Sequence, residues 1–444
     1  MKKAAGLPPT LELYFTNRCN LACRYCSTGE LKRGGEKTLS LEEILRGVEL
    51  AGRRARALGG EPLTVGLTGG EPLLEFDLLR RAVTAIRRRW PRLGLHVCTN
   101  GTLLDREKAE FLLDRGVELD ISLDGWRLTH DANRRFGSDP CRSVFSLVEA
   151  NLRRLPAALR CRLRAVATFD SRTIGAAADS YKFLLGLGFR SFGFGLDIYE
   201  RWPARRLPAL AAALRRFRAA WLAEYRRSLR AGLPAPPFPF ENKLGGEQAA
   251  LVSNEFSLSV DCWFFPSDTV CRGPGPAGCA IGDLRRGIDP RLLRRAFGRL
   301  SRLISGFGYP NGILPAADRY YHALFRGEDP RPALREGAAV SAVFERELGG
   351  LLYARALEEA LLRDKDFGDF AHGPRHAAVK PAAAFAAEGT AAPGALRKAL
   401  DHALYAGRGP LRLELSGGRP LGPAFYALAK AARLGRRARM VLVD

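Results

Sequence analysis

Three closely spaced cysteines are able to converge on one metal centre. Cys19, Cys23 and Cys26 follow a C-x3-C-x2-C spacing in a loop predicted after the apolar run 11–15. A cubane iron–sulfur cluster normally takes four cysteine ligands, so three would leave one iron open to another molecule. The spacing alone also permits a structural zinc with a fourth protein ligand, or three unrelated thiols.

A second motif follows one predicted helix later. Gly69, Gly70 and Glu71 come directly after the apolar segment 63–67 and are followed by proline. A backbone without Cβ atoms lets the polar end of a ligand approach closely, and the Glu71 carboxylate is able to accept a hydrogen bond from an ammonium group.

Together the two motifs resemble the radical SAM superfamily. The resemblance implies that Cys19, Cys23 and Cys26 hold a [4Fe-4S] cluster with one open iron. The amino and carboxylate groups of S-adenosylmethionine would chelate that iron, beside the glycine–glycine–glutamate strand end. An electron from the cluster would then cleave the sulfur–carbon bond and release a 5'-deoxyadenosyl radical.

Short apolar strands alternate with amphipathic helices from residue 11 to residue 196. The predicted strands are 11–15, 63–67, 95–98, 118–123, 161–167 and 191–196, and the predicted helices are 41–58, 78–90, 106–115, 144–155 and 174–187. This order predicts an α/β fold with a parallel sheet, closed or partly closed as a barrel, with its chemistry at the carboxyl ends of the strands. The resemblance implies a partial (βα)6 radical SAM barrel.

Further polar residues follow strands three and four. Asn100 lies in a predicted tight turn, and Ser122, Asp124 and the later Arg134 resemble the Ser-x-Asp-Gly and His-Asp-x-x-Arg motifs of the peptide-modifying and sulfatase-maturating branch. That branch implies ribose contacts for Ser122 and Asp124, and a carboxylate or ribose contact for Arg134. The expected cofactor-binding residues are Tyr25, Gly69, Gly70, Glu71, Asn100, Ser122, Asp124, Arg134 and, for adenine packing, Leu196.

Three more cysteines lie after residue 250. Cys262, Cys271 and Cys279 precede a Gly-Asp-Leu sequence, an outline that resembles a reduced SPASM or twitch auxiliary-cluster region. The resemblance leaves room for one auxiliary iron–sulfur cluster with a non-cysteine fourth ligand. Buried free thiols or a zinc knuckle are the alternatives. Arg272 stands where formylglycine-forming members carry an acidic base, which argues against sulfatase maturation.

The sequence predicts three regions: a core barrel with a linker helix over 1–230, the auxiliary-cluster region over 251–300, and a helix-rich extension over 301–444. The last region ends in a βαβ-like piece, because 411–421 repeats the pattern of 63–73 with arginine in place of the glutamate. No cysteine triplet precedes this repeat, so we expect it to be non-catalytic.

Composition limits the partners and the compartment. The chain has 444 residues, a formal net charge of +23 and nine cysteines. No apolar stretch predicts a membrane helix or signal peptide, so we expect a cytoplasmic protein with reduced thiols. The basic residues are spread along helices without an RNA-binding motif, which favours a solvated surface, although an acidic peptide or RNA partner stays open.

These patterns predict an enzyme that abstracts hydrogen from a peptide or protein substrate. Its partners would be that substrate and a reducing electron donor. Two alternatives stay open at this point. One is the same radical chemistry on a small cofactor precursor or RNA. The other is a non-enzymatic iron–sulfur electron carrier or redox sensor, in which Gly69, Gly70 and Glu71 would have no ligand to hold.

Overall fold

The computed structural model describes residues 10–26, 29, 35–57, 63–197, 199–230, 236–240, 255–267, 279–306, 316–363, 411–416 and 438–443. The strands are β1 (Thr10–Thr16), β2 (Thr64–Gly69), β3 (Gly94–Thr99), β4 (Val117–Ser122), β5 (Arg164–Phe169), β6 (Ser191–Leu196), β7 (Glu255–Leu258), β8 (Trp263–Phe265), β9 (Gly282–Asp283), β10 (Gly287–Ile288), β11 (Leu411–Ser416) and β12 (Ala438–Val443). The helices are α1 (Leu41–Ala57), α2 (Phe76–Arg89), α3 (Arg106–Asp114), α4 (Arg127–Asn133), α5 (Val144–Arg154), α6 (Ala157–Arg160), α7 (Ala177–Gly186), α8 (Leu207–Arg230), α9 (Pro290–Gly306), α10 (Ala316–Phe325) and α11 (Pro330–Arg363).

Six parallel strands form the centre of the fold. Strands β1 to β6 are hydrogen-bonded in chain order, each to the next, as the alternating pattern predicted. The predicted partial barrel with helices between its strands is therefore confirmed. One pairing was not predicted: β7 adds to the free side of β1 in parallel, and β8, β9 and β10 continue that side as an antiparallel extension.

The two faces of the sheet differ in chemistry. Apolar side chains such as Leu13, Val97 and Ile121 are fully buried on the side that the helices cover. The opposite, concave face carries polar and small residues, because the alternate strand positions hold Glu12, Gly66, His96, Cys98, Asp120, Ser122, Arg164 and Gly193. A polar concave face is the surface on which a parallel barrel is able to hold polar ligands.

Two ion pairs cross the concave face. His96 Nε2 lies 2.9 Å from Glu12 Oε1, and Arg164 lies 3.1 Å from Asp120. Gly66 leaves the room for the first pair, since a Cβ atom there would lie 2.3 Å from both Glu12 and His96. Burial alone would lower the pKa of His96, but the carboxylates of Glu12, Asp120 and Glu118 raise that pKa to about 9.

We expect His96→Gln to reduce the free energy of unfolding by about 2 kcal/mol in mildly acidic solution, because it removes a charge-assisted hydrogen bond. A histidine with a raised folded-state pKa stabilises the fold fully below its ordinary value of 6.5 and loses that effect as the pH rises through about 9. Urea unfolding should therefore show the gap between variant and wild type closing with rising pH. A gap that widens with pH would contradict the assignment.

The paired glycines at the end of β2 allow a close approach of two backbones. A Cβ atom at Gly69, where φ is +146°, would lie 2.1 Å from the carbonyl oxygen of Thr16, and one at Gly70 would lie 2.1 Å from that of Arg18. The same backbones are joined by hydrogen bonds of 2.7 Å from Gly70 N to Thr16 and from Glu71 N to Arg18. The absence of Cβ atoms at Gly69 and Gly70 thus lets this strand end pack directly against the backbone that leads into the cysteine loop.

Gly70→Ala should reduce the free energy of unfolding by about 2 kcal/mol or more, because the new methyl group would collide with a backbone carbonyl rather than a flexible side chain. Gly186→Ala is the matched control, since nothing lies within 4 Å of the added Cβ atom at the end of α7. The measurement is urea unfolding of both variants beside wild type. Equal stability of the two variants would refute the close-approach argument.

The chain divides into two compact units, residues 1–344 and 345–444. The β7–β10 extension belongs to the first unit together with the barrel. In the second unit β11 and β12 pair in parallel, from Leu411 opposite Ala438 to Ser416 opposite Val443. The segment between these strands, where the sequence predicts a helix, lies outside the described residues. No helix in the described ranges is both long and apolar enough to span a bilayer.

Candidate active site at the carboxyl ends of the strands

The cysteine loop begins where β1 ends and is held by the segment that follows α4. The amide of Ala22 donates to the carbonyl of Arg135 at 2.7 Å, and that of Arg24 donates to the carbonyl of Asn133 at 2.9 Å. Leu21 also forms an isolated antiparallel bridge with Phe136. The loop is therefore fixed by backbone hydrogen bonds at the carboxyl-end edge of the sheet, where the sequence predicted the chemistry to lie.

The three cysteines of this loop share one environment. Burial raises the pKa of the Cys23 thiol to about 11, Arg134 lowers it, and the neighbouring thiols of Cys26 and Cys19 raise it further. Three cysteine thiols close enough to affect one another's ionisation form a donor set that fits an iron–sulfur cluster. No three His, Cys, Asp or Glu side chains in the described ranges are arranged to hold a single metal ion.

Glu71 is fully buried and its carboxylate joins two strand ends. Its carboxylate accepts hydrogen bonds from Thr99 Oγ1 at 2.6 Å, from the amide of Asn100 at 2.7 Å and from the amide of Leu73 at 2.9 Å. Burial raises the pKa of this carboxyl group, whereas the three donors lower it. In the structure Glu71 thus fixes the end of β3 against the end of β2, and a contact with an ammonium group stays a prediction.

Asn100 connects the end of β3 to the cysteine loop. Its amide nitrogen donates to Asn20 Oδ1 at 2.9 Å and lies 4.0 Å from Cys19 Sγ, while Asn20 donates to Thr102 Oγ1 at 2.9 Å. Asn151 supports the same turn by donating to the carbonyls of Gly101 and Thr102. Asn20 and Asn151 were not predicted, although an asparagine directly after the first cysteine was the available signal.

Asp124 and Arg134 form a buried ion pair that also holds Tyr25. Arg134 donates to both carboxylate oxygens of Asp124, at 2.9 and 3.1 Å, and lies over the Tyr25 ring at 5.2 Å. The Tyr25 hydroxyl donates to Asp124, and the amide of Thr168 donates to Asp124 at 2.8 Å. The sequence predicted that both charged groups face the nucleoside, but in the structure each charge is neutralised by the other.

Two residues predicted to contact the cofactor, Ser122 and Leu196, lie on opposite faces of the sheet. Ser122 lies on the concave face, 3.6 Å from Cys98 Sγ, in keeping with a position near a bound ligand. Leu196 is buried, and strand alternation puts its side chain on the same face as Phe192 and Phe194, which pack on Tyr181 and Phe217 of the helices. The Leu196 side chain therefore does not line the concave face, and the expected adenine packing is not supported.

The structure does not bring Cys262 and Cys279 together. The residue after Cys262 pairs with Asp283, whereas Cys279 precedes Gly282, which pairs with Phe264. Because the pairing is antiparallel, this register puts the two cysteines at opposite ends of the short β8–β9 ladder. Cys262 Sγ lies 3.7 Å from Glu43 of α1, and Cys271 lies outside the described residues. The predicted joint ligation by all three cysteines is not supported.

Comparison with known proteins agrees with this geometry. Residues 13–144, which contain the cysteine loop, Glu71, Asn100 and the Asp124–Arg134 pair, match the model of the Radical SAM superfamily. Residues 13–144 form a radical SAM domain. Members of this superfamily hold a [4Fe-4S] cluster and S-adenosylmethionine. The assignment of Cys19, Cys23 and Cys26 as the cluster ligands stays a prediction.

Two curated relatives match about a quarter of this chain. GTP 3',8-cyclase from Synechococcus sp. (strain CC9902) is 43% identical over 118 residues, which are 26% of this chain and 32% of that protein. Fe-coproporphyrin III synthase from Methanosarcina barkeri (strain Fusaro / DSM 804) is 36% identical over 127 residues, 28% of this chain and 30% of that protein. The chain thus spans about a third of the length of these curated relatives.

Solved structures extend the likeness of fold beyond that domain. The structure of anSMEcpe with bound AdoMet superposes with a TM-score of 0.56 at 16% identity, and covers 78% of this chain and 98% of that one. The structure of anSMEcpe with AdoMet and the Cp18Cys peptide gives a TM-score of 0.57 at 18% identity, with the same coverage. At this identity the likeness shows a common fold.

Asp124→Asn should reduce the free energy of unfolding by about 3 to 5 kcal/mol, because it leaves the buried Arg134 guanidinium without a counter-charge. Tyr25→Phe removes one hydrogen bond and should reduce the same quantity by about 1 kcal/mol. Urea unfolding of both single variants and the double variant tests this. The losses should be less than additive, since both changes act on one carboxylate. Strict additivity would show that Tyr25 and Asp124 are not coupled.

Proposed function

We propose that this protein reductively cleaves S-adenosylmethionine and abstracts a hydrogen atom from a peptide or protein side chain. The observation that carries the proposal is the tethered cysteine loop. The loop that carries the three thiols, which would ligate three irons of the cluster, is fixed by Asn20, Asn100 and the 133–136 segment at the carboxyl-end edge of six parallel strands. When bound, the cluster and S-adenosylmethionine supply the electron and the radical precursor.

The chain's own residues position the reactants. Glu71 and Asn100 hold the strand ends next to the loop, and the Asp124–Arg134 pair fixes Tyr25 between the second and third cysteines. Because that pair has no net charge, it fixes the loop without adding a net charge to the site. Ser122 and Cys98 offer polar atoms on the concave face where a nucleoside would lie.

A peptide substrate is favoured by the rim of the same edge. Trp126 is 49% exposed and Leu128 is 72% exposed, directly after Asp124 and Gly125 at the end of β4. Large apolar side chains that are exposed at the edge of a site are candidate contacts for apolar groups of a substrate. The anSMEcpe fold with its Cp18Cys peptide extends over most of the chain, which supports the same choice.

A small-molecule substrate is the second candidate. The GTP 3',8-cyclases are the relatives with the highest sequence identity reported above, and their name gives a nucleotide as their substrate. The reported similarity covers 26% of this chain and 32% of that protein, so it supports the shared radical chemistry more directly than a shared substrate. An auxiliary cluster held jointly by Cys262, Cys271 and Cys279 forms no part of the proposal.

Replacing Cys19, Cys23 and Cys26 together with Ala should abolish 5'-deoxyadenosine formation, because no ligands would remain for the cluster. The assay incubates anaerobically reconstituted protein with S-adenosylmethionine and dithionite and measures 5'-deoxyadenosine and methionine by mass spectrometry. Cys161→Ala is the matched control, since Cys161 is exposed at the end of α6. Continued product formation by the triple variant would refute the proposal.

The substrate class is tested with the same assay. Deuterated peptide digests of host proteins and deuterated GTP are supplied separately, and deuterium in 5'-deoxyadenosine is measured. Transfer from peptide supports the proposal. Transfer from GTP alone would replace it with the small-molecule candidate. If S-adenosylmethionine neither reacts nor perturbs the cluster spectrum, the electron carrier or sensor is the correct assignment.

A further inference from the structure

We infer that the Asp197 carboxylate, at the carboxyl end of β6, binds a cationic side chain of the peptide substrate and so positions the residue that reacts. This inference rests on the proposed function and adds the charge class of the substrate to it. Asp197 lies on the wall of an open space on the concave face. We call this space the β5–β6 hollow and define it by Thr168, Gly195 and Asp197.

The hollow exists because β6 carries glycine at concave-face positions. Strand alternation places Gly193, Gly195 and Asp197 on the concave face. The amide of Asp197 donates to the carbonyl of Phe169 at 2.8 Å, which continues the β5–β6 ladder past the end of β6. A Cβ atom at Gly193 would lie 2.6 Å from the Arg164 guanidinium, whereas nothing lies within 4 Å of a Cβ atom at Gly195. Space for a ligand therefore remains next to the Asp197 carboxylate.

The Asp197 carboxylate is oriented by the chain but is not neutralised by it. Its Oδ1 accepts from the amide of Tyr199 at 2.9 Å. Within the described ranges no lysine or arginine forms an ion pair with this carboxylate. Burial raises the pKa of Asp197, the Tyr199 amide lowers it, the carboxylates of Glu200 and Asp170 raise it, and Arg319 lowers it. A cation in the hollow would relieve both the burial of this charge and its repulsion by the two neighbours.

The neighbouring carboxylates already have cationic partners within the chain. Asp170 accepts from Arg172 Nε at 3.0 Å, and Glu200 accepts from Arg206 Nη1 at 2.7 Å. The chain has 70 basic residues against 47 acidic ones, so a carboxylate at this edge without a basic partner among the described residues is an exception. The same pairing at Asp197 is therefore open to a guanidinium or ammonium group from a substrate.

The hollow borders the predicted cofactor contacts. The amide of Thr168, on its wall, donates to Asp124 at 2.8 Å, and Asp124 lies just after β4. The contacts predicted for S-adenosylmethionine lie mainly at the ends of β2, β3 and β4, so the hollow at β5 and β6 is the next space along the same edge. A peptide whose basic residue is held at Asp197 would bring a neighbouring residue beside the nucleoside of the cofactor.

The test measures binding without turnover. Reconstituted protein with bound S-adenosylmethionine is titrated in a calorimeter with short acetylated peptides that carry arginine or lysine, and with matched peptides that carry neutral citrulline or acetyl-lysine. We expect a cationic peptide to bind about tenfold more tightly than its neutral counterpart at low ionic strength. The larger ratio identifies guanidinium or ammonium as the preferred group. Equal binding of cationic and neutral peptides would overturn the inference.

Substitutions assign the preference to one carboxylate. Asp197→Asn keeps the oxygen that accepts from Tyr199 and removes the charge, so the ratio should fall to about one. Asp197→Lys should reverse the preference and favour a glutamate peptide over its glutamine counterpart. Asp179→Asn, an exposed change of the same kind on α7, is the matched control and should keep the ratio within about twofold of wild type. A ratio that Asp197→Asn leaves unchanged would refute the assignment.

Two further readouts separate this inference from other roles of Asp197 and from the proposed function. If Asp197→Asn weakens the binding of S-adenosylmethionine as much as that of the peptide, Asp197 is a cofactor contact and the inference is overturned. If wild type prefers cationic peptides but forms no 5'-deoxyadenosine with dithionite, the proposed radical function is rejected and the cation-binding site stands.

Discussion

The buried pair of Asp124 and Arg134 is the interaction on which the site depends. Its two charges lie at the end of β4 and just after α4, and each would be strongly unfavourable in this buried position without the other. Because Tyr25 and the amide of Thr168 also contact the same carboxylate, one group connects the cysteine loop with two strands. The loop geometry is therefore set by charge neutralisation within the fold before any cofactor binds.

The two faces of the sheet have different roles, one in stability and the other in carrying polar groups. The helix-covered face supplies stability through fully buried apolar side chains, so the concave face is free to carry polar groups. The Glu12–His96 and Asp120–Arg164 pairs neutralise one another there, and glycines at Gly66 and Gly193 make room for them. A barrel with a polar interior of this kind is able to admit a ligand from the carboxyl-end edge without disrupting its core.

The sequence was sufficient for the barrel and for the cysteine loop. The apolar runs predicted all six barrel strands, because each strand buries apolar side chains on its helix-covered face. The bounds of β6 agree with the prediction at both ends. β5 begins three residues later than predicted, since Pro156 starts the short helix α6 and Cys161 caps it. Helix α4 was not among the predicted helices, because the side chains that it buries, Thr129, His130 and Asn133, are polar and give no apolar period.

Contacts between distant residues could not be predicted from local pattern. Glu71 carries no sign in the sequence that it accepts from Thr99, and Asp124 carries none that it pairs with Arg134, since both depend on which strand ends meet. The spacing of Cys262, Cys271 and Cys279 suggested one centre, yet hairpin register separates two of them. Spacing along the chain predicts convergence only within one loop, as at Cys19, Cys23 and Cys26.

The pairing of β7 with β1 determines where the polypeptide can be shortened without exposing a strand of the barrel. β1 leads directly into the cysteine loop, but one of its two hydrogen-bonding sides is completed by a strand that is synthesised far later in translation. A shortened polypeptide that stopped after α8 would leave that side bare, as an open template for pairing with other molecules. The smallest soluble expression unit of this barrel therefore has to include the β7–β10 segment.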